Sequence, residues 1–126
     1  MVLDQLIGNI YASFSEIVHE INILEYFIND YGIYLKANIV FNGGSSLRII
    51  QSEKPIGNIL RYSYYWLNRD NQLILGWDNA PHHKELDSYP HHKHVGSQYM
   101  VLSSFERCLD DVLNVIKHEL DKNNCK

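Results

Sequence analysis

The 126-residue sequence predicts an α+β fold, in which a roughly five-stranded antiparallel meander sheet carries an N-terminal and a C-terminal helix on one face. Apolar residues recur at helical spacing near both ends of the chain and alternate with polar residues in between. The connections between successive predicted strands are short, which favours antiparallel pairing, because parallel strands need long crossovers. No internal repeat or linker-like segment interrupts the pattern, so we expect a single domain over residues 1–126.

Two segments have the periodicity of amphipathic helices. The first covers residues 2–13, and Asp4 lies in its first turn, where a carboxylate stabilises the helix dipole. The second is predicted to begin after Ser103, because Ser103 and Glu106 have the spacing of a capping box. Its apolar stripe consists of Phe105, Cys108, Leu109, Val112, Val115, Ile116 and Leu120. Both helices are expected to cover the same face of the sheet.

The sheet is predicted from apolar–polar alternation with a period of two. Residues 16–28 fit either a helix or a strand that enters a hairpin at Asn29–Gly32, and the sequence leaves these alternatives open. In the fourth strand, Tyr62, Tyr64 and Trp66 share one face, which indicates core packing more than base stacking. The second to fifth strands are predicted over residues 33–41, 46–53, 60–66 and 72–77, and the fourth is the one that contains Tyr62.

Composition excludes several classes of function. The net charge of −4 argues against a broad basic surface for non-specific nucleic-acid binding. No apolar run approaches the length of about 20 residues needed to span a membrane, and the N-terminus lacks the features of a signal peptide. Cys108 and Cys125 lack the spacing of a zinc knuckle and are expected to be unpaired. We therefore expect a cytoplasmic protein with no membrane partner.

Histidine is the unusual feature of the composition. Five of the seven histidines fall in a segment from Asp78 to about Ser97 that lacks regular periodicity and contains Pro81 and Pro90. Long loops without their own periodicity are often functional. The five are His82, His83, His91, His92 and His94.

Three interpretations of these histidines remain open. Two imidazoles on opposite sides of a phosphodiester could transfer protons, with Arg61, Lys84 or Lys93 stabilising the developing charge. Alternatively, His82, His83, His92 and His94 could bind zinc or another transition metal, and Asp78 could add a carboxylate. The third interpretation is structural: the imidazoles stack on tyrosines or form hydrogen bonds with the backbone.

The motifs of this segment resemble the TumE family of prokaryotic toxin–antitoxin proteins. The similarity lies in the run Arg61–Tyr64, in Trp77–His83 and in Pro90–Gly96, which contain the strings RYSY, WDNAPHH and PHHKHVG. It covers the chain in element order, from the first helix to the last. Many relatives in that family have histidine where this chain has Tyr65, so the resemblance leaves open whether the site is altered here.

The resemblance implies the toxin of a type II toxin–antitoxin module. Its expected partners are an RNA substrate and a cognate antitoxin, such as a helix-turn-helix protein, and the edge strands of an open sheet also allow a homodimer. We expect a metal-independent endoribonuclease without a cofactor, with His83 and His91 as the acid–base pair. The other catalytic candidates are His82, His92, His94 and Asp78. The candidate substrate-binding residues are Arg61, Tyr62, Tyr64, Asn79 and Lys93.

Overall fold

The computed structural model describes residues 3–56 and 59–124, and it confirms an α+β architecture with a helix at each end. The predicted first helix is confirmed from Leu3, and Val2 lies outside the described residues. Within the described ranges, no helix is long and apolar enough to cross a membrane. The elements are α1 (Leu3–Phe14), β1 (Val18–Asn29), β2 (Gly32–Phe41), β3 (Ser46–Glu53), β4 (Ile59–Leu67), β5 (Leu73–Asp78), β6 (His92–Val95), β7 (Val101–Ser103) and α2 (Leu109–Asn124).

The sheet is the predicted antiparallel meander, but the described part of the chain forms seven strands instead of roughly five. Each strand pairs with the next one along the chain, in the order β1-β2-β3-β4-β5-β6-β7. The two extra strands lie in or just after the segment that was predicted to be a long loop. The prediction missed β6 because its alternating residues are histidines, and it missed β7 because three residues are too few to show a period.

The ambiguous segment of residues 16–28 forms a strand. β1 pairs with β2 along almost its whole length, and Ile28 lies opposite Ile33 beside the turn. Gly32 ends this turn with a φ of +137°, and a Cβ atom there would lie 2.0 Å from the carbonyl oxygen of Glu53. Glycine is therefore required at this position, since any side chain would collide with backbone.

The two helices share one face of the sheet, here called the helix face. Ile10 and Phe14 of α1 and Ile116 of α2 belong to the same buried cluster as the inward-facing strand residues. Those strand residues include Leu35, Ala37, Ile39, Phe41, Leu47, Ile49, Tyr62, Tyr64, Trp66 and Trp77. The predicted core face of β4 is thereby confirmed. Residues of opposite parity, such as Arg61, Ser63 and Tyr65, belong to the other face, here called the open face.

The predicted capping box of the last helix is wrong. Ser103 belongs to β7, and the helix begins only at Leu109, so the spacing between Ser103 and Glu106 spans extended chain. Asp111 in the first turn instead accepts a hydrogen bond from the backbone N–H of Arg107 at 3.1 Å. This contact satisfies a backbone donor at the start of α2.

Replacing Asp111 with alanine is expected to lower the free energy of unfolding by about 1 kcal/mol, because the N–H of Arg107 loses its acceptor. Asp110→Ala is the matched control, since Asp110 is an exposed carboxylate in the same helical turn. Urea unfolding of both variants measures the difference. Equal losses would show that only the interaction of each charge with the helix dipole contributes.

Candidate functional site

Strand register brings the chemically active residues together on the open face. Asp78 at the end of β5 lies opposite Ser63 of β4 on one side and opposite His92 of β6 on the other. Since side chains two residues apart in a strand share a face, His94 lies on the same face as His92. The intervening Lys93 lies opposite Trp77 and faces the helices.

The carboxylate of Asp78 is the centre of this cluster. Its Oδ1 lies 2.9 Å from Nε2 of His92, and its Oδ2 lies 3.2 Å from Nε2 of His94. Oδ1 also accepts a hydrogen bond from the backbone N–H of Ala80 at 3.0 Å, and Oδ2 accepts one from the Tyr65 hydroxyl at 3.0 Å. The three side chains are only 3–10% exposed.

Both imidazoles are held in place through their second nitrogen. Nδ1 of His92 lies 3.1 Å from the carbonyl oxygen of Pro90, and Nδ1 of His94 lies 3.1 Å from that of Gln98. Carbonyl and carboxylate oxygens only accept hydrogen bonds, and both Nε2 atoms face the carboxylate of Asp78. Each imidazole therefore lies between two acceptors, with Nδ1 against a backbone carbonyl and Nε2 against Asp78.

Tyr65 reaches Asp78 because Gly76 leaves room for its ring. The two residues are paired across β4 and β5, and a Cβ atom on Gly76 would lie 2.3 Å from the Tyr65 ring. Burial, followed by the Asp78 charge, raises the pKa of Tyr65 to about 12. The hydroxyl therefore keeps its proton and donates a hydrogen bond to the carboxylate.

The cluster lies at one side of a cavity of about 340 Å³. The loop between β5 and β6 contributes His82 and His83 to the cavity, and β4 contributes Arg61. The complete lining is Arg61, Tyr62, Ser63, Tyr65, Asp78, Ala80, His82, His83, His92, His94 and Gln98. Four of the five clustered histidines thus share one cavity with an arginine.

His82 and His83 are the accessible histidines of the cavity. Their ring centroids are 6.5 Å apart, and the His83 ring lies 5.1 Å from that of His92. His83 has a φ of +60° and its Nδ1 lies 3.3 Å from a carboxylate oxygen of the exposed Glu85. Its imidazole is about a third exposed, in contrast to the enclosed His92 and His94.

His91 has different surroundings from the other four. Its Nδ1 lies 2.7 Å from the hydroxyl of Tyr62, a residue of the core cluster on the helix face. Burial, followed by the positive charge of Arg107, lowers the pKa of His91. Among the described residues that line the cavity, His83 is present and His91 is not. The structure therefore does not bring the two predicted acid–base partners into one cavity.

Three of the predicted substrate-binding residues make contacts within the protein. Tyr64 is fully buried, and its hydroxyl donates a hydrogen bond to Gln51. Asn79 accepts a hydrogen bond from the backbone N–H of Tyr62 at 2.9 Å and so fixes the start of the loop. Lys93 lies 3.6 Å from Glu106, which also accepts a hydrogen bond from Trp77. Lys84, the third cationic candidate, is exposed on the loop.

A larger cavity of about 560 Å³ lies elsewhere and is lined mainly by apolar atoms, with Trp66, Leu75 and Leu120 among its residues. Its described lining contains no histidine, so we place the candidate site in the smaller cavity. Four residues of that smaller cavity are absent from the predicted site: Ser63, Tyr65, Ala80 and Gln98. Tyr65 directly follows Tyr64 in the predicted strand. Because neighbouring side chains in a strand point to opposite faces, this position indicates that Tyr65 faces away from the core.

In the comparison with known families, the model of the family described as Toxin TumE matches residues 4–120. No curated protein and no solved structure matches the chain. The matched range contains α1 from Asp4 onwards, strands β1 to β7 and α2 as far as Leu120, together with the residues that line the cavity.

Proposed function

The chain belongs to the TumE toxin family, and from this premise we propose that it is the toxin of a type II toxin–antitoxin module that cleaves RNA by histidine acid–base chemistry. A toxin of this family implies an antitoxin partner. We propose a cytoplasmic complex in which a helix-turn-helix protein is that antitoxin. The observation that carries the RNA proposal is a single cavity that contains an arginine and accessible histidines.

Arg61 is the proposed phosphate-binding residue. Its side chain is exposed at the cavity and has no ion-pair partner within residues 3–56 and 59–124. Lys93, by contrast, is paired with Glu106. A free guanidinium offers paired donors to two phosphate oxygens, which fixes the orientation of the phosphodiester.

His83 and His82 are the proposed proton-transfer residues. One imidazole accepts the proton of the RNA 2′-hydroxyl as its oxygen attacks phosphorus, and the other donates a proton to the leaving 5′-oxygen. The products are a 2′,3′-cyclic phosphate and a 5′-hydroxyl. Both imidazoles line the same cavity as Arg61, so a phosphodiester held by Arg61 lies within reach of both rings. This pairing keeps His83 and replaces His91, whose Nδ1 lies against Tyr62.

The second candidate function is a non-enzymatic metal-binding or protein-interaction domain. The observation that favours metal binding is the cluster of Asp78, His92 and His94, whose three side chains face one another. His82 and His83 do not belong to this cluster, although the sequence offered them as ligands. The two functions differ in RNA turnover, which only the first one predicts.

Expression of the parent chain without an antitoxin is expected to arrest growth, and the double variant His82→Ala/His83→Ala is expected to relieve the arrest at matched protein levels. Purified parent protein should cleave RNA at least about 100-fold faster than this variant and leave cyclic phosphate ends. The control is His19→Ala/His118→Ala, which removes two exposed imidazoles from β1 and α2. Arrest without any RNA fragments would contradict the cleavage mechanism.

A further inference from the structure

The contacts of Asp78, His92 and His94 leave an electrostatic conflict in the cavity. Each imidazole lies between two oxygens that only accept hydrogen bonds, a backbone carbonyl at Nδ1 and the Asp78 carboxylate at Nε2. An imidazole with one N–H satisfies only one of these two contacts. With the N–H on Nδ1, the Nε2 lone pairs face the Asp78 oxygens at 2.9 Å and 3.2 Å, and a metal cation among them removes the repulsion.

A positive charge placed between the two Nε2 atoms and the carboxylate would satisfy this cluster. A single divalent ion would bind all three lone-pair donors at once. Neutral imidazole and carboxylate are the forms that metals bind.

We propose that Asp78, His92 and His94 bind one divalent first-row transition-metal ion. Their ligand atoms lie within 4.8 Å of one another. With ligand bonds of about 2.1 Å, two donors on one ion are about 3.0 Å apart at a right angle and about 3.4 Å apart at a tetrahedral angle. The observed separations are close to this range: 2.9 Å between His92 and Oδ1 of Asp78, and 3.2 Å between His94 and Oδ2.

The outer contacts of the three ligands support a metal site. Imidazoles that bind metals donate their other N–H to a carbonyl or carboxylate, as His92 and His94 do here. The carboxylate of Asp78 is likewise oriented by Tyr65 and Ala80. All three side chains are thus held in place before an ion binds.

The donor set restricts the identity of the ion. Two nitrogens and a carboxylate suit Zn²⁺, Fe²⁺, Co²⁺, Ni²⁺ or Mn²⁺, whereas Ca²⁺ and Mg²⁺ prefer oxygen ligands throughout. Three protein ligands leave at least one coordination position open, as in catalytic sites. All three ligands line the same cavity as Arg61. The inference stands independently of RNA cleavage, because binding is measured on the protein alone.

The test uses full-length protein without a polyhistidine tag, stripped with chelator and incubated with excess Zn²⁺, Co²⁺ or Mg²⁺. After desalting, elemental analysis should find about one Zn²⁺ or Co²⁺ per chain and no Mg²⁺. Bound Co²⁺ should give visible absorption. Zn²⁺ at about 100 times its Kd should raise the Tm by about 5–15 °C.

His94→Gln and Asp78→Asn should each abolish Zn²⁺ retention and the rise in Tm. His118→Gln is the matched control, since it removes an exposed imidazole from α2. If the ligand variants fail to fold, Tyr65→Phe tests the proposal instead: it keeps all three ligands and should weaken Zn²⁺ binding by about 10–100-fold. A folded parent protein that retains no Zn²⁺ or Co²⁺, or equal retention by the folded ligand variants, would overturn the proposal.

Discussion

Replacing Tyr64 with alanine is expected to lower the free energy of unfolding by about 3–5 kcal/mol. The side chain is 0% exposed in the centre of the helix face, and its ring lies 4.9 Å from that of Tyr62. Truncation removes a large aromatic group from this core and leaves Gln51 without the hydroxyl that now donates to it. Chemical denaturation with urea measures the loss.

Tyr99→Ala is the matched control for this prediction. It is the same change at a residue that is 95% exposed, and it should alter the free energy of unfolding by less than about 0.5 kcal/mol. Tyr64→Phe keeps the ring and should retain toxicity, since we place Tyr64 in the core. A folded Tyr64→Phe variant that has lost RNA cleavage would show instead that the hydroxyl contacts substrate.

Replacing Arg61 with alanine is expected to reduce RNA cleavage by about 10²–10³-fold, because the developing phosphate charge loses its cationic partner. Arg61→Lys should recover only part of the activity, since an ammonium cannot bind two phosphate oxygens in the same plane. Neither change should destabilise the fold, because the Arg61 side chain is exposed and has no ion-pair partner among the described residues. Single-turnover cleavage of a labelled RNA measures the rates.

The control for Arg61 lies on the neighbouring strand. Arg48 is exposed on the open face opposite Tyr65 and is not among the described residues that line the cavity. Arg48→Ala therefore removes the same charge at a short distance from the site. A loss of cleavage as large in Arg48→Ala as in Arg61→Ala would mean that general electrostatic attraction of RNA, and not a placed guanidinium, explains the effect.

The central hairpins could be predicted from sequence because alternation and turn residues agree there. Residues 46–53 were predicted to be a strand, and β3 has these bounds in the structure. β6 could not be predicted in the same way. His92 and His94 become buried through their contacts with Asp78 and not through hydrophobicity, so no apolar period marks the strand. The start of the last helix was wrongly predicted from Ser103 and Glu106, because a spacing of three residues does not show whether the chain between them is helical.

The members of the site could be predicted better than their arrangement. The histidine-rich segment and Asp78 were identified by residue type, and Asp78, His82, His83, His92 and His94 do line one cavity. Which histidine faces which side of the sheet depends on the register between β5 and β6, which is a property of the folded chain. His91 comes immediately before β6 and therefore contacts the opposite side of the sheet from His92.

The alternation of faces along β6 also determines where this segment can accept inserted residues. Lengthening the loop between Lys84 and Asp87 would leave the pairing of Asp78 with His92 intact. A single residue inserted directly before His92 would instead turn the Lys93 ammonium toward Asp78 and the imidazoles toward Glu106. Such an insertion would exchange a site of nitrogen donors for a simple ion pair. The loop is thus the part of the site in which new specificities can arise, while the short strand preserves its chemistry.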